Sequence, residues 1–316
     1  MHINELIAQY NRKNEKSIPD WMIGCFKRRS ISFANGKIDT KTHVFWLQGR
    51  NLTIDLRLPI EAEMITNQTW QECSTQEIEQ LTNYDGWSAD STWQNNQLSW
   101  SGGSSFQIHN RWPEPAILSR VGDCMIEASP NESYIEDWRI KSKAPGALLS
   151  FELISEENLT TGELRHKGGA LIINGDWAGL VLGRAVDITL TNKDPKKLID
   201  IVKNNHTDKN FLKQVFNFET SVAQGSLVDG FKVKYSTLND RLEQPLFELN
   251  GFEIDEQANE VTQTFTLNNQ QIKRRFAIDT LEANFAFSEK THWRKETQKW
   301  FDDEQEVLGR YLKTLT

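Results

Sequence analysis

The segment HVFWLQGRNLTIDLRLPI (43–60) places a carboxylate and a guanidinium, Asp55 and Arg57, on one side of a predicted β-hairpin. A two-residue turn at Arg50-Asn51 sets the register of the two strands. In that register one face is apolar, and the other face mixes aromatic, amide and charged groups: Val44, Trp46, Gln48, Thr53, Asp55 and Arg57. A carboxylate in a cavity of low dielectric can act as general acid or base, and a nearby arginine can hold an anionic or enolate oxygen.

The mixed face has two interpretations. Antiparallel sheets commonly expose one face to solvent, and a shift of one residue in register would undo the grouping. A solvent face elsewhere in the chain looks different, however, because FKVKYSTL (231–238) points Lys232 and Lys234 outward. The hairpin face has neither lysine nor glutamate, and this composition favours the lining of a pocket.

Two later segments carry similar groups. In SYIEDWRI (133–140), Tyr134, Glu136 and Trp138 share one face of a strand, so that a carboxylate lies between two aromatic rings. In GLVLGRAV (179–186), Arg184 lies in line with aliphatic side chains and needs a partner if buried, for which we expect Glu136 or Asp55. The predicted catalytic residues are Glu136 and Asp55, and the predicted ligand-binding residues are Trp46, Gln48, Arg57, Tyr134, Trp138 and Arg184.

Other common sites are excluded by their missing motifs. The chain has no GxGxxG after a strand, no GxxxxGK[ST], no HExxH and no G-x-S-x-G. Its three cysteines lie far apart, and its six histidines form neither HxH nor HxxxH, so we expect no metal site. A haem held by one histidine inside a barrel stays open, but the expected chemistry is free of cofactors.

Composition narrows the partners. The chain has 316 residues and a net charge of −8, which repels nucleic acid and anionic membranes. No run approaches the roughly 18 apolar residues that a membrane span needs, and the polar N-terminus lacks a secretory h-region, so we expect a cytoplasmic protein. Of eleven tryptophans, most lie in the first 138 residues, which predicts an aromatic core or a Trp-lined cavity there.

The elements that must position these groups are mainly strands. Apolar residues alternate with period two in many short segments between residues 21 and 187 and again between 231 and 278, joined by hairpin-length turns. A capped helix is predicted from Ser74 to Leu81, and a helical insert at about 194–217 with Asp194 as N-cap and Pro195 at N1. These patterns predict a mainly β, antiparallel fold with a few peripheral helices.

The best candidate boundary between two halves is KSKAPG (141–146). It predicts a Trp-rich β-barrel half at 1–143 and a second barrel half at 144–316, which includes the helical insert. The second half ends in a helix from about His292 to Leu312, whose apolar stripe should pack against the outside of a sheet. That stripe comprises Trp293, Trp300, Phe301, Val307, Leu308 and Tyr311.

Three short motifs support a family resemblance over roughly residues 43–187. WLQ (46–48) with DLRLP (55–59), then YIEDW (134–138), then GLVLGRA (179–185), resemble lipocalin-like (calycin) proteins with two fused β-barrels, which are largely of unknown function. Gly175-Asp176-Trp177 also fits the G-x-W element of lipocalins, as it fits a β-turn before a strand. The resemblance implies a ligand-holding barrel and carries no catalytic residues over.

Three functions therefore stay open. The first is binding of a small, largely apolar or aromatic molecule in a Trp-lined barrel cavity. The second is a cofactor-independent isomerase, cyclase or lyase that uses Glu136 or Asp55 as acid and base. The third is an interaction scaffold, such as a homodimer, in which the tryptophans pack in the hydrophobic core and the C-terminal helix docks a partner.

Overall fold

The computed structural model describes residues 1–13, 18–109, 115–188, 197–292 and 294–310. Its first elements in chain order are α1 (Ile3–Gln9), β1 (Arg12–Lys13), β2 (Gly24–Phe33), β3 (Ile38–Asp39), β4 (His43–Gln48), β5 (Leu52–Leu58), α2 (Thr75–Leu81), β6 (Asp85–Gln94), β7 (Gln97–Ser105), β8 (Ala116–Val121), β9 (Cys124–Ala128) and β10 (Tyr134–Ile140). The remaining elements are β11 (Gly146–Asn158), β12 (Leu164–Asn174), β13 (Trp177–Arg184), α3 (Leu198–Asn204), α4 (Lys209–Phe216), β14 (Glu219–Ser226), β15 (Gly230–Ser236), β16 (Phe252–Asp255), β17 (Glu260–Leu267), β18 (Gln270–Phe285) and α5 (Lys295–Leu308).

The first half is a closed antiparallel barrel of eight strands. The strands run in the order β10-β9-β8-β7-β6-β5-β4-β2, and pairing of β10 with β2 closes the ring, while β3 adds to β2. Closure removes the free edges that an open sheet would expose. The prediction of a mainly β, antiparallel fold with a barrel and peripheral helices is therefore confirmed.

The second half is a nine-stranded antiparallel sheet. Its order is β15-β14-β13-β12-β11-β18-β17-β16, with β1 on β18. Among the described residues, strand pairing closes the first sheet into a barrel, but it leaves this second sheet open. Helix α1 buries Ile3, Leu6 and Ile7 among the apolar side chains of one face of this sheet. The N-terminal helix thus packs in the second half, although the division at 143/144 places it in the first. That division stays a prediction.

The hairpin of β4 and β5 is buried on both faces. Its register is the predicted one, with Gln48 opposite Thr53 and Trp46 opposite Asp55. The apolar face, including Phe45 and Leu47, lies in one cluster with side chains of β12–β14 and helices α2–α4. The hairpin therefore joins the barrel to the second sheet, and its mixed face is left to line the barrel.

The tip of this hairpin is also buried. Arg50 is 1% exposed and donates hydrogen bonds to Glu282, from β18, and to Asp20. Asn51 Nδ2 donates to Asp279 Oδ1 at 2.7 Å. The hydrophobic pattern of the sequence would place this turn at the surface, but it lies against the second sheet. There, acidic groups compensate the buried guanidinium of Arg50.

The predicted helices have mixed outcomes. Ser74 caps α2 with a capping box to Glu77, as predicted. The insert contains α3 and α4, while its predicted cap at Asp194 and Pro195 lies outside the described residues. The prediction that the C-terminal helix is covered by a sheet is wrong for its described residues, because α5 has no buried residue and Trp300 is 58% exposed. Trp293 and Tyr311 lie outside the described residues.

The strand predictions missed two barrel strands, β6 and β8. The sequence of β6, DGWSADSTWQ, is rich in aspartate, serine and glycine, which strands usually avoid. The alternation in SFQIHNRW (105–112) predicts a strand there, but the structure has the end of β7 at residue 105 and bends at 106–109, and 110–114 lie outside the described residues. The predicted boundary segment joins β10, the last barrel strand, to β11. None of the described helices is long and apolar enough to cross a membrane.

We predict that Gly49→Ala destabilises the protein because no room exists for a methyl group at the hairpin tip. An added Cβ would lie 2.0 Å from Ser150 Oγ and 3.0 Å from Ser150 Cβ. Overpacking of this kind costs about 1–3 kcal/mol of unfolding free energy. Chemical denaturation of Gly49→Ala, Ser150→Ala and the double variant measures it.

The Ser150→Ala variant should be close to wild type in stability, because Ser150 Oγ is buried without a hydrogen-bond partner among the described residues. The double variant should recover most of the loss. A double variant as unstable as Gly49→Ala alone would contradict the close contact.

Candidate functional site

The barrel interior contains the two charges predicted in the hairpin. Asp55 is 3% exposed and accepts two hydrogen bonds from Arg57, Nε to Oδ1 at 2.7 Å and Nη2 to Oδ2 at 3.2 Å. Asp85 lies opposite Arg57 on β6. Desolvation works to lower the pKa of Arg57, but the negative charges of Asp55, Glu136 and Asp85 outweigh it and raise that pKa. Arg57 is therefore a permanent cation inside the barrel.

A second buried ion pair lies beside the first. Glu136, which is 1% exposed, accepts a hydrogen bond from Arg28 Nη1 at 2.8 Å through Oε1. Arg28 also donates to Asp39 Oδ2 at 2.7 Å. The other oxygen of Glu136, Oε2, is buried without a hydrogen-bond partner in the part of the chain that the structure describes. Arg28 is the partner that sequence reasoning missed, since we expected Arg184 to pair with Glu136 or Asp55.

Another buried carboxyl group, that of Glu127 from β9, has no arginine bonded to it among the described residues. Its Oε1 accepts a hydrogen bond from the Tyr134 hydroxyl at 3.2 Å, and its Oε2 accepts one from Trp138 Nε1 at 3.1 Å. Burial raises the pKa of Glu127 well above its ordinary range, and the nearby charge of Glu136 raises it further. Glu127 therefore holds a proton more strongly than an exposed glutamate does, and it was not among the predicted residues.

Four tryptophans form a chain of edge-to-face contacts through the barrel. Ring centroids are 5.5 Å apart for Trp138 and Trp46, 6.1 Å for Trp46 and Trp100, and 5.9 Å for Trp100 and Trp87. Such pairs prefer this geometry because the positive ring edge meets the negative face. The chain leads from the buried ion pairs to β6 and β7.

Gln48 holds Trp46, the second tryptophan of that chain, in place. Its Oε1 accepts hydrogen bonds from Trp46 Nε1 at 3.0 Å and from Thr53 Oγ1 at 2.6 Å. Its Nε2 donates to Ser91 Oγ at 3.0 Å. Gln48 is fully buried, so its role in the structure is to orient Trp46.

Most of the predicted residues therefore meet, but they fill the barrel rather than line a large cavity. The space between Trp46, Asp55, Arg57, Glu127 and Trp138 has a volume of about 10 Å³. That is room for about one water molecule. No organic ligand fits between the buried charges.

A larger pocket adjoins this space. Trp87 and Trp100 line both, and the second has a volume of about 290 Å³. Its wall also includes Asp85, Ala89, Gln107, Ile108 and His109. Volumes of this size suit small organic ligands. The cavity that is large enough for a ligand is thus separated from the predicted residues by Trp87 and Trp100.

The polar atoms of these two tryptophans distinguish them from the inner pair. Trp46 and Trp138 both donate their indole N–H to protein acceptors. Trp87 Nε1 and Trp100 Nε1 are buried and have no hydrogen-bond partner among the described residues. A buried donor without an acceptor costs about 1–3 kcal/mol. Both tryptophans that carry such a donor line the pocket.

Arg184 does not pair with Glu136 or Asp55, and that expected pairing is wrong. Its Nε and Nη atoms donate to three backbone carbonyl oxygens, those of Val215, Ser105 and Phe106. Desolvation lowers the pKa of Arg184 to about 10. The carbonyl dipoles satisfy the guanidinium donors here, because α4 and the end of β7 converge on this side chain. Arg184 thereby anchors residues 105–106 beside the pocket.

The missed pocket residues left a signal in the sequence. Asp85, Trp87, Ala89, Ser91 and Trp93 alternate along DGWSADSTWQ with period two, which is typical of a strand with one lined face. The segment was not predicted as a strand because its aspartate, serine and glycine residues have low strand propensity. Trp100 sits on the neighbouring strand, and only the pairing of β6 with β7 brings it to Trp87.

Comparison with known proteins adds no family. No family model, curated protein or solved structure matches the chain. The closed eight-stranded barrel is compatible with a lipocalin-like fold, which the sequence motifs resemble. Among the described residues, no group of three or more histidine, cysteine, aspartate or glutamate side chains is arranged to hold a metal ion.

We predict that Glu127→Gln stabilises the protein at neutral pH but not at acidic pH. Since the pKa of Glu127 is higher in the folded chain than its ordinary value of about 4.3, unfolding releases a proton above that value. The free energy of unfolding of the wild type therefore falls as pH rises from the unfolded to the folded pKa, by at most about 1.4 kcal/mol per pH unit. The amide imitates the protonated acid and abolishes this fall.

Urea denaturation of wild type and variant from pH 4 to pH 8 measures the effect. The difference in unfolding free energy should be small at pH 4 and grow in favour of the variant as pH rises. Glu132→Gln, at an exposed turn between β9 and β10, is the matched control and should follow the wild type. Parallel curves for wild type and Glu127→Gln would mean that Glu127 is ionised in the folded protein.

Proposed function

We propose that this protein binds a small, largely apolar or aromatic molecule in the 290 Å³ pocket bounded by Trp87 and Trp100. The observation that carries the proposal is the pair of buried indole N–H groups without a partner among the described residues. A ligand oxygen that accepts from one or both would remove their desolvation cost. The ligand class therefore includes at least one hydrogen-bond acceptor on an aromatic or aliphatic frame.

The charges beside the pocket favour a neutral ligand. The barrel buries four carboxyl groups, those of Asp55, Asp85, Glu127 and Glu136, against the guanidinium groups of Arg28 and Arg57. Carboxyl groups thus outnumber guanidinium groups in this set, and the carboxyl group of Asp85 lies in the pocket wall. An anionic ligand would meet that carboxyl group, so a carbonyl or ether oxygen suits the indole donors better than a carboxylate.

The surroundings make the pocket floor rigid. Trp100 contacts Trp46, and Trp46 is held by Gln48. Arg184 fixes the carbonyl groups of residues 105 and 106 at the wall. A preorganised site loses little conformational freedom on binding, which favours affinity.

The alternative of acid–base catalysis by Glu136 or Asp55 has weaker support. Both carboxylates are bonded to arginines, and the free space beside them holds about one water. A substrate in the larger pocket would be separated from them by the tryptophan pair. Catalysis would therefore require the tryptophan pair to move, whereas ligand binding in the larger pocket does not.

Fluorescence titration with prodan, a neutral naphthyl ketone, tests the proposal. We expect blue-shifted, saturable prodan emission with wild type. Trp87→Phe and Trp100→Phe keep a ring but remove the N–H donor, so each should weaken binding by about three- to tenfold. The matched control is Trp93→Phe, on the same strand as Trp87 but away from the pocket wall, which should bind like wild type.

The same naphthylamine without its ketone separates hydrogen bonding from shape. It should bind the wild type and the two pocket variants equally, because it offers the indoles no carbonyl. Prodan affinity that is unchanged in both Trp87→Phe and Trp100→Phe would refute the proposed role of the indole donors.

A further inference from the structure

A second cavity lies in a groove between the two halves, remote from the Trp87 pocket. It has a volume of about 530 Å³ and is lined by three lysines, Lys27, Lys141 and Lys143, together with three aromatic residues, Phe45, Trp177 and Tyr235. Among its described lining residues Asp176 is the only acid. Three cations around one groove are unusual in a chain of net charge −8.

Lys27 is the central cation of this groove. It lies on the outer face of β2, opposite Phe45 on β4. Its Nζ is 5.3 Å from the ring centroid of Phe45 and 5.4 Å from that of Tyr235. It is half-buried and forms no ion pair with any described residue. Burial lowers its pKa, and the negative charge of Glu61 opposes that shift without forming an ion pair with Lys27.

Three aromatic residues cluster beside this ammonium. Phe45 and Trp177 are stacked with centroids 5.8 Å apart, and Phe45 and Tyr235 are 4.4 Å apart. Phe45 and Trp177 are 1% and 6% exposed, whereas Tyr235 is only partly buried and lines the groove. A planar ligand can therefore pack on Tyr235, which the other two rings support, while its charged end meets the lysines.

The other two lysines differ in their availability. Lys143 Nζ forms an ion pair with Glu289 at 2.5 Å. The side chain of Lys141 forms no ion pair with any described residue. Lys27 and Lys141 thus provide two positive charges that the described chain leaves unpaired, next to aromatic surface.

We propose that this groove is a binding site for a small aromatic organic anion, such as an aryl carboxylate or aryl sulfonate. The ammonium groups of Lys27 and Lys141 bind the anionic group, and the ring of Tyr235, supported by Phe45 and Trp177, contacts the aromatic part. This site is independent of the neutral pocket at Trp87, from which it differs in charge and in the strands that form it.

Titration with anilinonaphthalene sulfonate, an aromatic anion that fluoresces when bound, tests the site. We expect saturable binding that weakens as salt is raised, because the attraction is ionic. Lys27→Met should weaken binding by about tenfold or more, as expected for loss of a charged hydrogen-bond partner. Lys27→Arg keeps the charge and should stay within about threefold of wild type.

Two further variants control for folding and for general charge. Lys141→Met changes a second groove lysine and should also weaken binding, while Lys37→Met, at an exposed turn outside the groove, should not. Thermal unfolding of Lys27→Met should match wild type, since the removed ammonium has no bonded carboxylate to leave behind.

The neutral analogue phenylnaphthylamine distinguishes this site from apolar binding. Its affinity should be unchanged by Lys27→Met and by Lys141→Met. Sulfonate affinity that survives both lysine substitutions, or an equal loss for the neutral analogue, would overturn the proposal. Sulfonate binding that Trp87→Phe weakens and Lys27→Met does not would place the probe in the other pocket, and would also overturn it.

Discussion

Burial of both faces of the β4–β5 hairpin is the constraint on which the remaining structure depends. Its apolar face is covered by the second sheet, so it provides the contact between the two halves. Its mixed face then points into the barrel, where water is scarce and every charge needs a partner. The hairpin thus couples the packing of the halves to the electrostatics of the barrel. The close fit of Gly49 against Ser150 and the buried ion pairs of Arg50 extend that coupling to the tip.

Charge balance inside the barrel follows from this constraint. Arg57 and Arg28 each bind a carboxylate, and Glu127 is accommodated by hydrogen bonds from Tyr134 and Trp138. Removing one member of a buried ion pair is far more costly than removing a surface charge, because the remaining charge stays desolvated. The ion pairs therefore fix the positions of the surrounding side chains. They leave room for about one water and serve as a base for the tryptophan chain rather than as a ligand cavity.

The two proposed ligand sites differ in electrostatics and in their lining residues. The pocket at Trp87 and Trp100 borders several carboxyl groups and offers two neutral N–H donors. The groove at Lys27 offers ammonium groups beside aromatic rings. Because the sign of the local charge differs, the same small molecule would not suit both. The two proposals therefore assign separate sites to a neutral and an anionic aromatic compound.

The sequence by itself determined the features that depend on local periodicity and local capping. The register of the hairpin followed from a two-residue turn and alternating side chains. The same alternation placed Asp55 with Arg57 on one strand face and Glu136 with Trp138 on another, but only the composition of the hairpin face favoured its burial, which the structure shows. The capping box of α2 was likewise readable from Ser74 and Glu77, since its hydrogen bonds join residues three apart.

Only the tertiary structure decided which groups meet across strands. Arg28 reaches Glu136 because β2 closes the barrel on β10, over a separation of 108 residues. Arg184 donates to backbone carbonyl groups. The sequence cannot predict which carbonyl groups these are, because every residue carries one. Whether an indole N–H finds an acceptor, as at Trp46, or has none among the described residues, as at Trp87, likewise depends on side-chain contacts that the sequence does not specify.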